Sequence, residues 1–63
     1  MKVQDHYSEE DFEDLLTEAE ANAANDFETT FVSDMRERFD DYGKRMYLSE
    51  RQRETLERIA NDE

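Results

Sequence analysis

The chain has 63 residues, of which 43% are charged and 35% are hydrophobic, and its formal net charge is -11. One small domain is expected at this length, and no apolar run exceeds three residues, which excludes a transmembrane helix or a signal-peptide core. Because the chain contains no Cys, disulfides, thiolate nucleophiles and Cys-ligated zinc are excluded, and we expect a cytoplasmic protein.

The first predicted helix begins at Ser8, after a segment, 1–7, that we expect to be flexible. The Ser8 hydroxyl can cap the free amides of a helix N-terminus, and Asp11 completes an S-x-x-[DE] capping box. Tyr7 and Phe12 occupy the two positions of a hydrophobic staple. Apolar residues then recur at steps of three and four, at Phe12, Leu15, Leu16, Ala19 and Ala23. The pattern predicts an amphipathic helix with an acidic outer side.

A second apolar stripe follows, and Val32 widens it. Asn25 and Asp26 favour helix ends, so either the first helix ends near Asn25 with Asp26 capping the second helix, or one long helix continues. The stripe ends at Gly43, the only glycine of the chain and a natural left-handed cap. Its members are Phe27, Phe31, Met35, Phe39 and Tyr42. They form either the core or an interface with a second copy of the chain.

A short third helix is predicted after the linker 44–48, because Ser49 and Gln52 form an S-x-x-Q capping box. Its apolar side consists of Leu56, Ile59 and Ala60. Residues 61–63 are expected to fray. We therefore predict a single all-α domain over residues 1–63, a small bundle of two longer amphipathic helices and a short C-terminal helix.

No set of residues indicates catalysis or metal binding. With 19 Asp and Glu residues, paired carboxylates are unavoidable, and acid–base catalysis needs a carboxyl group with a shifted pKa in a pocket. His6 has no second His or Cys for a transition metal. The EF-hand pattern fails, because alignment on Gly43 places Arg38 first and Ser49 twelfth. We expect no enzyme activity, no metal and no cofactor.

The acidic side of the first helix is the most informative feature. Residues four apart on a helix are separated by about 6 Å of rise, a spacing comparable to that of successive phosphates along a nucleic-acid strand. The candidate partner-binding residues are Glu9, Glu10, Glu13, Asp14 and Glu18. Residues 1–34 contain 11 acids and one base, whereas the remainder contains eight acids and seven bases. This surface is either a charge-dependent binding site or a solvated face that maintains solubility.

The basic residues of the second half do not indicate nucleic-acid binding. Acidic residues are interleaved with them, and a chain with this net charge should be repelled by DNA and RNA. The arginines either pair internally with the acidic first helix or contact a second copy of the chain.

The segment 31–60 resembles a segment common among small uncharacterised bacteriophage proteins. In those proteins a helix that ends in a Y/F-G dipeptide is followed by an LSE-x-Q-x-x-x-LE-x-I helix. The matching residues are Tyr42, Gly43, Leu48, Ser49, Glu50, Gln52, Leu56, Glu57 and Ile59. Small, strongly acidic phage proteins are often inhibitors that occupy a nucleic-acid-binding surface of a host protein, as several anti-CRISPR proteins do. The chain is similar to them in size, charge and lack of catalytic residues.

The resemblance implies a non-enzymatic inhibitor in the cytoplasm of the host cell. Its partner would be a basic, nucleic-acid-handling host protein, such as a CRISPR-Cas effector, bound through the acidic helix. The alternative is a small homodimeric structural or regulatory protein, of the antitoxin or replication-accessory type, with a solvated acidic face. Neither function involves direct contact with nucleic acid or with a membrane.

Overall fold

A computed structural model describes residues 1–61. It contains three α-helices, α1 (Glu9–Asn22), α2 (Asp26–Tyr42) and α3 (Glu50–Asn61), with short 3-10 turns at Val3–Asp5 and Gly43–Arg45. The only strand-like pairing among the described residues is an isolated antiparallel bridge between Lys2 and Tyr47. The predicted all-α bundle of two longer helices and a short C-terminal helix is confirmed. None of the helices within residues 1–61 has the length and apolar character needed to cross a bilayer.

Local capping residues fix where the helices begin and end. The Ser8 Oγ accepts a hydrogen bond from the Asp11 backbone N–H at 3.1 Å. At α3 both halves of the predicted capping box form, because Ser49 and Gln52 each donate a backbone N–H to the other's side chain at 3.1 Å. Gly43 ends α2 with a φ of 59°, a left-handed value that glycine adopts without a steric penalty.

The break between α1 and α2 is capped by a different residue from the one predicted. The Asn25 side chain accepts a hydrogen bond from the Glu28 N–H at 2.9 Å, and the Glu28 carboxylate accepts one from the Ala24 N–H at 2.8 Å. Asp26 is already the first residue of α2, so its predicted role as the cap is wrong. Because an amide oxygen caps as well as a carboxylate, the choice between neighbouring Asn and Asp depends on where the backbone turns.

The core lies along α1, which packs against both other helices. The Phe12 ring contacts that of Phe39 with a centroid distance of 4.9 Å, and Tyr7 and Phe12 form the predicted staple at 5.5 Å. The buried apolar side chains are Val3, Phe12, Leu16, Ala19, Val32, Met35, Phe39, Met46, Leu48, Leu56, Ile59 and Ala60. All three helices therefore contribute to one continuous core.

The N-terminal segment, which the sequence predicts to be flexible, is packed into this core. Val3 is fully buried, and its N–H donates to the Met46 carbonyl at 2.9 Å, while the Leu48 N–H donates to the Met1 carbonyl at 2.7 Å. The predicted linker contributes two core side chains, Met46 and Leu48. α3 continues through Asn61, which was expected to fray; residues 62 and 63 lie outside the described part of the chain.

The aromatic stripe of α2 divides between core and surface. Met35 and Phe39 are buried and Phe31 is half-buried, but Phe27 and Tyr42 are 64% and 65% exposed. Each step of four residues advances about 40° beyond a full helical turn, so the three steps from Phe27 to Phe39 rotate about 120° around the helix. One core-facing side cannot accommodate that rotation, and Phe27 therefore lies outside the core. Tyr42 is the last residue of α2 and lies beyond the last buried residue of the helix, Phe39.

Candidate functional site

The strongest concentration of charge lies on α1, which carries seven carboxylates and no Lys or Arg. Three of these acids, Glu9, Glu10 and Asp11, lie in the first turn. There the partial positive charge of the helix N-terminus stabilises anions by about 0.3–1 kcal/mol each. The apolar stripe of α1 faces the core, and the helix therefore presents its acids to solvent.

On the side toward α2, part of this negative charge is neutralised. The Arg36 guanidinium lies 2.7 Å from the Glu20 carboxylate and 3.7 Å from that of Glu13, and it also donates to the Thr17 hydroxyl at 3.3 Å. The hydrogen bond to Glu20 raises the pKa of Arg36 above its ordinary value. Arg36 therefore pairs internally with α1, which is one of the two roles expected for the arginines.

On the outer side of α1, Glu10, Asp14 and Glu18 form a row at successive i,i+4 positions, here called the acidic ridge. All three side chains are exposed. Among residues 1–61, no Lys, Arg or His forms an ion pair with any of them. Like charges at this spacing repel by a few tenths of a kcal/mol per pair. The acidic ridge is therefore a surface whose charge no neighbouring side chain compensates.

A shallow groove runs beside the acidic ridge between α1 and the C-terminal end of α3. Its lining residues are Tyr7, Asp11, Asp14, Leu15, Glu18, Ala60 and Asn61. Leu15 is half-buried and packs against the core, so it provides an apolar strip between carboxylates. The Asn22 side-chain amide donates to the Ala60 carbonyl at 2.6 Å, which fixes the end of α3 against α1 and keeps the groove rigid.

The five predicted partner-binding residues are thus divided by the fold. Glu10, Asp14 and Glu18 lie together on the acidic ridge, Glu9 is exposed in the first turn, and Glu13 is on the opposite edge beside Arg36.

The sequence interpretation missed Asp11 and Leu15 as members of this surface. Asp11 lies three residues before Asp14, and Leu15 lies four residues after Asp11 and three before Glu18, spacings that place these side chains next to one another on a helix. The sequence pattern predicts a helix cap for Asp11 and a core position for Leu15, and it does not predict that either belongs to the acidic surface.

A second polar cluster joins the N-terminal segment to α3. The Tyr7 hydroxyl donates to the Glu57 carboxylate, which also accepts from Arg53 at 3.2 Å. Burial, together with the hydrogen bond to Glu57, raises the pKa of Tyr7, and the Arg53 guanidinium, hydrogen-bonded in the same cluster, has a raised pKa as well. The cluster joins α3 to the N-terminal segment, and within the described residues the buried Arg53 Nε has no hydrogen-bond partner. Among residues 1–61, no three acidic or His side chains are arranged to hold a metal ion.

Compared with protein families, curated proteins and solved structures, the chain has no match. Its function must therefore be argued from its surface.

Proposed function

We propose that the chain is a non-catalytic binding protein whose acidic ridge engages a basic surface of a nucleic-acid-handling protein. In the specific form implied by the phage resemblance, the partner is a host protein, such as a CRISPR-Cas effector, and binding blocks its access to nucleic acid. The observation that carries the proposal is the uncompensated charge of Glu10, Asp14 and Glu18 on one rigid helix.

The contrast with Glu13 and Glu20 supports a role in binding. Those two acids have an internal partner in Arg36, whereas the acidic ridge has none among residues 1–61. Negative charge alone gives fast, salt-sensitive association. Lys and Arg side chains of a partner could place their charged groups on the ridge and their aliphatic stems against Leu15, and this burial would slow dissociation.

The test compares two triple variants that change the net charge equally. The first neutralises the ridge as Glu10→Gln, Asp14→Asn and Glu18→Gln. The control neutralises three exposed acids of α2 and α3, as Asp40→Asn, Glu50→Gln and Glu54→Gln, none of which forms an ion pair among the described residues. Wild type and both variants are used to capture proteins from bacterial host lysate. A captured protein is then purified, and its affinity for each form is measured between about 0.05 and 0.5 M NaCl.

We expect the ridge variant to bind at least tenfold more weakly than the control and with a flatter salt dependence, because three partner-facing charges are removed. Displacement of a labelled oligonucleotide from the captured protein tests whether the ridge occupies its nucleic-acid surface. Equal affinities and equal salt slopes for the two variants would show that the ridge is only a solvated face.

A further inference from the structure

An exposed aromatic face of α2 is not used by the proposed function. At about 100° per residue, Phe27, Phe31, Asp34, Arg38 and Tyr42 fall within about 80° of the helix circumference. Phe27 and Tyr42, at its two ends, are the exposed aromatic side chains of α2, and they are about 22 Å apart along the axis. Exposed aromatic residues on one face of a helix are typical of an interface.

This face points away from α1. Arg36, which contacts Glu13 and Glu20 of α1, lies nine residues after Phe27 and hence about 180° around α2 from it. A molecule bound to the aromatic face would therefore leave the acidic ridge uncovered.

The two ends of the face differ in shape. At the N-terminal end, Phe27 projects from the surface and stacks on Phe31 with a centroid distance of 6.2 Å and an interplanar angle of 21°. At the C-terminal end there is a shallow groove. Its lining residues are Asp34, Glu37, Arg38, Asp41, Tyr42, Met46 and Tyr47. A projecting aromatic side chain and a groove lined by two tyrosines, Met46 and four charged residues thus lie at opposite ends of the same helix.

We propose that this face binds a second copy of the chain, with the two α2 helices antiparallel about a two-fold axis near Asp34 and Met35. In this arrangement Phe27 of each copy enters the groove beside Tyr42 and Tyr47 of the other copy. Phe31 then faces Arg38 of the second copy, a geometry suited to a cation–π contact. A two-fold interface requires such self-complementarity, in which residue i contacts j and j contacts i.

The charges near the axis fit the same arrangement. Arg38 Nε lies 3.5 Å from the Asp34 carboxylate within one chain, and both side chains are about half exposed. In the dimer the two Asp34 side chains come close together, and an Arg38 from each copy flanks them. The remaining charge opposes association, because each copy carries a net -11. Dimerisation should therefore strengthen as salt is added, whereas binding of a basic partner by the acidic ridge should weaken.

Solution mass and disulfide cross-linking test the proposal, and the chain is suited to cross-linking because it has no Cys. At about 0.5 M NaCl, light scattering of the full chain at millimolar concentration should give twice the 7.6 kDa of the monomer. Phe27→Ser, at an exposed position that the fold does not need, should raise the dissociation constant at least tenfold with unchanged helical circular dichroism. A wild-type mass that stays at the monomer value would overturn the proposal.

Single cysteines then determine the orientation. Asp34→Cys, near the axis, should form a disulfide-linked dimer, and an equimolar mixture of Phe27→Cys and Tyr42→Cys chains should link to each other. Phe27→Cys alone should not link, since the two copies of that position lie about 22 Å apart. Ser33→Cys is the matched control, because Ser33 is exposed on another side of α2.

Linking of Phe27→Cys with itself would indicate a parallel pair and overturn the geometry. Linking of Ser33→Cys as fast as Asp34→Cys would indicate random collision and overturn the specific interface. If the chain stays monomeric but Phe27→Ser weakens capture of a host protein, the face belongs to that protein and the dimer proposal is wrong.

Discussion

Tyr7 connects the N-terminal segment to α3 through its hydrogen bond to Glu57, 50 residues away in the chain. The hydroxyl is a donor only while it is protonated, and the carboxylate beside it disfavours the phenolate. Both this contact and burial raise the pKa of Tyr7. The folded protein therefore holds the phenol proton more tightly than the unfolded chain does.

The first prediction follows from this difference in proton affinity. Below a pH of about 10, the pKa of tyrosine in an unfolded chain, the contribution of the hydrogen bond to stability is fully present. It is lost as the pH rises through the raised pKa of the folded state. We expect Tyr7→Phe to lower the free energy of unfolding by about 1 kcal/mol at pH 7. The difference from wild type, measured by urea denaturation, should shrink as the pH rises above about 10. A constant difference over that range would show that Tyr7 contributes packing alone.

Other core residues show why part of the fold could not be predicted. Val3, Met46 and Leu48 lie in segments without helical periodicity, and their burial depends on pairing between the N-terminal segment and the segment after α2. Nothing in the local sequence around either segment specifies that pairing. Burial of Phe12 and Leu16 could be predicted, because each belongs to a repeating stripe.

The two predicted capping boxes, at α1 and α3, differ in how many of their hydrogen bonds form. At α3 the Ser49 and Gln52 side chains accept hydrogen bonds reciprocally, whereas at α1 the bond found is the one from Asp11 to Ser8. The Ser49 box is also partly buried and Ser8 is exposed. The α3 cap is therefore the stronger of the two.

The second prediction compares these caps by alanine substitution. Ser49→Ala should lower the free energy of unfolding by about 1.5 kcal/mol and Ser8→Ala by about 0.5–1 kcal/mol, measured by thermal or urea denaturation. Ser33→Ala, in the exposed middle of α2, is the control and should change stability by less than about 0.5 kcal/mol. If Ser8→Ala costs more than Ser49→Ala, the partial burial of the Ser49 cap does not strengthen it.

The sequence predicts which acids of the candidate site are exposed, but not which of them have an internal ion-pair partner. Exposure of Glu10, Asp14 and Glu18 followed from the amphipathic pattern of α1. The neutralisation of Glu13 did not, because it requires knowing that Arg36 of α2 lies against that edge of α1. Sequence periodicity predicts which side of a helix faces the core, but not which other helix packs against each of its edges.

The net charge of -11 makes the stability of the protein depend on the salt concentration. Added salt screens attraction and repulsion between exposed charges alike, and with 19 acidic residues against eight basic ones repulsion predominates. We expect the melting temperature, measured by circular dichroism at low micromolar concentration, to rise by about 3–6 °C between 0.02 and 0.5 M NaCl. The variant with a neutralised acidic ridge should start higher and rise less. If the melting temperatures of wild type and variant rise equally with salt, the repulsion does not come from the acidic ridge.

The position of α1 between its neighbours also has a consequence during synthesis on the ribosome. The helix that α1 contacts most is α3, the last described helix to emerge, and contacts such as Asn22 to Ala60 join residues 38 positions apart. Until α3 emerges, the side of α1 that packs against α3 is uncovered, and such exposed apolar surface is prone to aggregation. The seven carboxylates on the same helix give nascent chains a like charge, and mutual repulsion opposes their association during that interval.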